Sequence, residues 1–148
     1  MLFLILPVCL SAQNNNHSVV DLSGEWIENK NYPDGGVLII TQKGAEIEGR
    51  YLHVGLREAN DFKYEKGELV LTGSVHKQFV QGRILLKEHH KLLEECDEIK
   101  PGFWSEIKLD INAANDTLQG YWQQHTTDFH TCEIVQRGSQ EYILKRLK

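Results

Sequence analysis

Seven histidines, three cysteines and 21 carboxylates are the side chains of this chain equipped for chemistry. Their spacing decides which chemistry is open to them. The densest metal-type run is His125-Thr-Thr-Asp128-Phe-His130-Thr-Cys132. His130 and Cys132, two apart, would share one face of a strand, a usable geometry for a transition metal. No second cluster of fixed spacing completes a site, so no metal is expected there. His89-His90, beside Glu88 and Glu94, reads as a solvated charged face. The sequence has no Gly-x-Ser-x-Gly, no His-Glu-x-x-His and no phosphate loop. Paired carboxylates such as Glu94-Glu95 sit in a charged segment where burial would not raise a pKa. No catalytic residue and no cofactor is expected. An enzyme site assembled in three dimensions stays open as the least favoured reading.

The residues with more to offer are those suited to lining a chamber. The pattern apolar, any, Gly, any, apolar occurs in five copies: Leu22-Ser-Gly24-Glu-Trp26, Ile47-Glu-Gly49-Arg-Tyr51, Leu71-Thr-Gly73-Ser-Val75, Val80-Gln-Gly82-Arg-Ile84 and Leu118-Gln-Gly120-Tyr-Trp122. On a strand, alternate residues share a face. The glycine and its two apolar flanks therefore point one way, and the mostly polar residues between them point the other. An inward glycine weakens a flat strand but suits a sharp bend or a close backbone approach, as in a small closed barrel. A twisted sandwich is the alternative. Continuing the alternation places His53 inward after Tyr51, and Gln124 inward after Trp122. Tyr51, His53, Trp122 and Gln124 are thus the candidate ligand-binding residues, apolar walls with a few polar handles. The competing reading is that they fill the core.

The elements that position these residues are short strands. Residues 37–42 form an apolar run after the turn-forming Pro33-Asp-Gly-Gly36, and Lys43-Gly44 turns into the next strand. Strands follow at 68–75 and 104–111, where Ser105, Ile107, Leu109 and Ile111 alternate with Glu106, Lys108 and Asp110. Asn112-Ala-Ala-Asn-Asp116 is a loop, and 129–135 and 141–147 read as the last two strands. Eight or nine strands with short connections make an antiparallel meander. One departure falls near 88–97, where Leu92, Leu93 and Cys96 fit one face of a short helix.

Residues 2–10 are an uncharged apolar run, too short for the ~20 residues of a membrane span but suited to the hydrophobic region of a signal peptide. Residues 1–12 are therefore expected to be a signal peptide, 13–21 a polar spacer and 22–148 a single barrel domain in a secreted or periplasmic protein. Val8 before Cys9 does not suit lipidation. In an oxidising compartment Cys96 and Cys132 can pair or can remain buried thiols. Two tripeptides, Asn16-His-Ser18 and Asn115-Asp-Thr117, match the N-glycosylation sequon. Net charge is −5 with scattered basic residues, so no nucleic-acid footprint is present. No later apolar stretch is long enough to span a membrane.

Leu22-Ser-Gly-Glu-Trp26 resembles the Gly-x-Trp motif that opens the calycin barrels, the group of lipocalins, avidins and fatty-acid-binding proteins. Ala45-Glu-Ile-Glu-Gly-Arg-Tyr51 resembles the third strand of avidins, and Tyr142-Ile-Leu-Lys-Arg-Leu147 an apolar closing strand ending in Arg-Leu. The first two cover about thirty residues. The resemblance implies a roughly eight-stranded barrel with Trp26 packed under Arg146 at its closed end. Glu28 stands where avidins carry a ligand-contacting Asn, so biotin is not implied. The expected function is a non-enzymatic barrel binding a small, largely apolar molecule inside. The alternative is a protein-interaction or inhibitor module with a filled core, acting through loops 29–36 and 87–102. The latter is dense in charge and leads directly into Phe103-Trp104.

Overall fold

Apolar side chains that alternate with polar ones can be buried on one face only, and eight such ribbons bury that face by curling into a tube. The computed structural model describes residues 18–28 and 35–148. The expected leader at 1–12 and most of loop 29–36 lie outside the described residues. The strands are β1 (Gly24–Glu28), β2 (Val37–Lys43), β3 (Glu46–His53), β4 (Leu69–Val75), β5 (Phe79–Lys87), β6 (Gly102–Ile111), β7 (Thr117–Thr127) and β8 (Ile134–Arg146). They pair in chain order, all antiparallel, and β8 closes on β1. Two six-residue helices interrupt the meander, α1 (Leu56–Asp61) between β3 and β4 and α2 (His90–Glu95) between β5 and β6. No helix among the described residues is long and apolar enough to cross a membrane.

All five glycine-centred motifs turn inward. Leu22, Trp26, Ile47, Tyr51, Leu71, Val75, Val80, Ile84 and Leu118 are buried, and only Trp122 is half-exposed. The glycines let backbones pinch together where the tube curls. Gly73 lies opposite Gly82 in the β4–β5 ladder. A Cβ on Gly82 would collide with the Thr72 carbonyl and lie 2.9 Å from Gly73 Cα. Gly24 serves differently: its φ of +129° is one that other residues rarely adopt, and it starts β1.

One end of the tube is closed. The Trp26 indole N–H donates to the Leu22 carbonyl (2.8 Å), and the Arg146 guanidinium lies 4.8 Å over the Trp26 ring and donates to the Asp21 carbonyl. Arg146 N–H also donates to the Asp116 carbonyl, tying β8 to the β6–β7 loop. Here the core is built from Leu22, Trp26, Leu38, Ile40, Leu109 and Leu118.

Three features differ from expectation. The C-terminal region is one thirteen-residue strand, β8, where two strands were expected at 129–135 and 141–147. Residues 134–141 are exposed throughout, so no apolar alternation marks their strand; their pairing with β7 does. Residues 129–132 instead belong to the turn into β8. α1 has no side-chain cap and starts at Gly55, so neither a capping residue nor length announces it. Alternation in β3 ends at a bulge: Val37 faces His53 and Leu38 faces Tyr51, leaving Leu52 as the extra residue. α2 falls inside the expected 88–97 segment. Its N-cap His89 accepts from Lys91 N–H, and Leu92 and Cys96 are buried. Cys96 and Cys132 form a disulfide with Cα atoms 5.7 Å apart, tying the end of α2 to the β7–β8 turn.

The glycine pair gives the first prediction. Gly82→Val forces two backbones apart and is expected to cost about 1–3 kcal/mol or more in urea unfolding. Gly138→Ala, where a Cβ meets nothing within 4 Å, should leave the midpoint within about 0.5 kcal/mol. Equal effects at both positions would refute the pinched-backbone account.

Candidate functional site

Backbone pairing round the barrel is not uniform. β6 and β7 exchange partners only from Lys108–Tyr121 to Ile111–Leu118, although β6 reaches back to Gly102 and β7 runs on to Thr127. β7 and β8 stay paired throughout, up to Thr127–Ile134. Above the Lys108 level the β7–β8 ribbon therefore leans away from β6 and opens a seam. The sequence permits this, because Gln123, Gln124, His125 and Thr126 on β7 supply no apolar pair to draw the strands together.

Behind the seam lies a cavity of about 590 Å³, within the range of small-molecule pockets. Its aromatic walls are Phe62, Tyr64, Phe103, Trp122 and Tyr142. Its polar groups come from Arg57 and Glu58 on α1, Lys87 and Glu88 at the end of β5, and Gln124, His125, Gln140 and Glu141 on the ribbon. Trp122 packs on Tyr142 with ring centroids 5.4 Å apart. His125 crosses the seam: it stacks on Phe103 of β6 at 5.3 Å, and its Nε2 lies 2.7 Å from Glu88 Oε1. Lys87 Nζ pairs with Glu68 at 2.6 Å and sits 5.0 Å from the Tyr64 ring centroid.

A buried carboxylate underlies this chamber. Glu28, on the inward face of β1 two residues after Trp26, is 4 % exposed. Its Oε1 accepts from the hydroxyls of Tyr51 (2.9 Å) and Tyr142 (3.0 Å), on strands that flank β1 at one and two removes. The Tyr64 hydroxyl, above them, donates to the Leu85 carbonyl (2.9 Å) and accepts from Lys87 N–H (3.0 Å), satisfying the last turn of β5. Tyr51 packs edge-on against Tyr64. Burial pushes the Tyr51 and Tyr142 hydroxyls well above the usual phenol range, and the Glu28 charge pushes both further. Burial also raises Tyr64. These phenols are donors at neutral pH, not bases.

The residues expected to line a chamber separate into three situations. Trp122, half-buried, and Gln124, exposed at the rim, border the cavity. Tyr51 is inward and buried, but it lies in the layer beneath, on Glu28. His53 does not point inward: the bulge at Leu52 breaks the alternation, and His53 is exposed. Of the metal-type run, Cys132 is spent in the disulfide and His125 is engaged by Glu88. Phe103 turns into the cavity, whereas Trp104 faces out, 41 % exposed. Glu28 and Tyr142 had a legible signal, since each sits at an inward position in period two with Trp26 and Leu144. Glu58 had none, because it depends on α1. No protein-family model matches the chain, and no curated protein matches it.

Two measurements test the buried cluster. Glu28→Ala leaves two buried hydroxyls without their acceptor and is expected to cost about 2–6 kcal/mol, from ~1–3 kcal/mol per unsatisfied group. Glu28→Gln, which keeps an amide oxygen, should cost less. In alkali, the folded tyrosines keep their protons to higher pH than the ~10 of the unfolded chain. Their contribution to stability is therefore intact below about pH 10 and is lost as pH climbs above it. Tyrosinate absorbance should rise for these residues in one step with the loss of near-ultraviolet dichroism; a broad titration preceding unfolding would contradict their burial.

Proposed function

We propose that the chain is an exported, non-enzymatic barrel of the calycin type that takes a small, largely apolar molecule into the chamber between β6 and the β7–β8 ribbon. The observation that carries this reading is the cavity itself: several hundred cubic ångströms, walled by five aromatic rings, behind a seam with no backbone ladder. A flat apolar body suits the space between Phe103 and the Trp122–Tyr142 pair, and a single polar group suits the Lys87, Glu58 and Gln124 side. The uncharged apolar run at 2–10 and the Cys96–Cys132 bridge support export, since disulfides persist in oxidising compartments. Trp26 beneath the Arg146 guanidinium supports the calycin reading.

A buried carboxylate at the base of a chamber also supports an enzyme reading. Geometry favours binding over chemistry. Glu28 does not border the cavity, and the Tyr142 ring, which does, stands on it as a hydrogen-bond donor; the buried carboxylate that does border it, Glu58, stands at the rim of aromatic walls that suit an apolar body. A contact module is supported separately by Phe129, Ile134 and Val135, exposed at the far end of the β7–β8 ribbon.

The test uses a neutral probe, phenylnaphthylamine, titrated into the disulfide-intact chain. Tryptophan emission should fall saturably as probe emission rises. Trp122→Ala should weaken the affinity about tenfold, the equivalent of ~1.4 kcal/mol and at the upper end for one aromatic pair. Trp104→Ala, on the outer face, should leave it unchanged. Absence of any saturable response in the unaltered chain would end the binding proposal.

A further inference from the structure

Asp61, His89 and His90 bring one carboxylate oxygen and two imidazole nitrogens within 4.8 Å of one another, the one such group of metal-type ligands among the described residues. Asp61 is the last residue of α1, His89 the N-cap of α2 and His90 its first residue. All three are half-buried, so His89-His90 is not the solvated face that its charged neighbours suggest. We propose that these residues bind a divalent transition-metal ion of the zinc class, with a fourth position left to water or another ligand.

Donor chemistry comes first. Two imidazoles and a carboxylate suit zinc, nickel or copper, and three protein ligands leave one coordination position open. Distance comes second. A tetrahedral ion with bonds of ~2.0–2.1 Å needs ligand atoms about 3.3 Å apart. His89 Nε2 already stands 4.0 Å from Asp61 Oδ1. Closing the remainder takes shifts of about 0.7–1.5 Å, within the reach of small side-chain torsion changes.

The protons suit coordination at His90 and need one tautomeric shift at His89. His90 Nδ1 lies 3.1 Å from the Asp61 carbonyl and donates to it, which leaves the Nε2 lone pair outward. That outer-shell bond is the kind that fixes the tautomer of a metal-ligating histidine. His89 Nδ1 accepts from Lys91 N–H at 3.2 Å, so its Nε2 carries the proton that faces Asp61. Coordination through Nε2 moves that proton to Nδ1 and gives up a long cap bond, with no net change in charge on the ring. Around the group, the His89 and His90 rings stack at 4.8 Å, and Phe62 and Phe129 meet His89 edge-on at 5.6 and 6.4 Å. These rings border His89, while 31 % of its side chain and 42 % of that of Asp61 remain exposed, which leaves the open position accessible.

The ion would join two walls of the chamber. Phe62, which borders the cavity, follows Asp61 directly, and Glu88, which also borders it, precedes His89. Yet the metal proposal does not depend on any ligand in the cavity. Zn²⁺ should therefore bind whether or not the apolar probe does.

The experiment is calorimetric titration of the disulfide-intact chain with Zn²⁺ in a non-chelating buffer. One ion per chain is expected. Asp61→Asn, His89→Ala and His90→Ala should each weaken binding about tenfold or more, while His130→Ala, an exposed histidine outside the group, should not. Circular dichroism establishes that each variant is folded. Co²⁺ added to the unaltered chain gives a second reading that needs no variant: strong visible absorption of a four-coordinate site, abolished by Zn²⁺. Three results would overturn the proposal. They are no saturable uptake by the unaltered chain, uptake unchanged in the His89→Ala/His90→Ala double variant, or a Co²⁺ spectrum that stays that of the hydrated ion.

Discussion

Every strand exposes a row of N–H and C=O groups along each side, and a closed barrel exists to pair them all. In this chain that requirement is met fully at one end and relaxed at the other. At the Trp26 end β8 returns to β1, and Arg146 is fixed both by its backbone N–H and by its side chain. At the other end β6 and β7 part after Lys108–Tyr121. What keeps the ribbon from swinging free there is side-chain chemistry: His125 against Phe103 and Glu88, and a covalent tie from Cys96 to Cys132. The tie closes a loop of 36 residues, worth about 4 kcal/mol in chain entropy on a simple loop model. A seam without a ladder is thus compatible with a stable ribbon because the restraint has moved from backbone to side chains.

The layer between the two ends is set by Glu28. A carboxylate in the wall of a small apolar core is costly unless hydrogen bonds replace its water. Tyr142 supplies one from β8, the direct neighbour of β1, and Tyr51 the other from β3, which β1 reaches only through β2. The cluster therefore ties three strands, β1, β3 and β8, at one level. It also divides the interior. Below it the side chains are mostly aliphatic, closed off by Trp26; above it they are aromatic and charged, and space remains. Gly36 belongs to the same layer: a Cβ there would come within 2.6 Å of the Tyr51 ring.

What the sequence makes legible follows from this division. In the lower half, strict period-two alternation and inward glycines are enough to read the strands, their faces and the closed tube. Gly73 and Gly82, read as inward bends, lie opposite each other where two backbones nearly touch. In the upper half the rules that make a sequence readable are suspended. Residues 134–141 are strand by pairing alone. His53 leaves its expected face because a single extra residue, Leu52, enters β3. α1 forms from local hydrogen bonds such as Ala59 N–H to the Gly55 carbonyl, with no cap to announce it. Trp122 was findable because β7 keeps its alternation up to it; beyond it the alternation fails, and both Gln124 and His125 border the cavity. Phe62, Tyr64 and Glu58 reach the same space from a connection with no periodicity.

The places where local rules fail are thus the places that surround the chamber, and this is more than coincidence. Polar residues on both faces of a strand forgo burial, and an unladdered seam forgoes backbone pairing. A sequence selected only for stability would fill such a gap with aliphatic side chains, as it does at the other end with Leu22, Leu38, Leu118 and Leu144, all fully buried. Here the gap is kept open by rings that stack on one another and by charges already satisfied by neighbours: Lys87 by Glu68, and His125 with Glu88. Pre-paired charges can border a cavity without drawing it shut, and rigid rings can wall it without collapsing into it. On the binding proposal, preformed space of this kind would spare an entering molecule the ordering cost that a flexible pocket imposes.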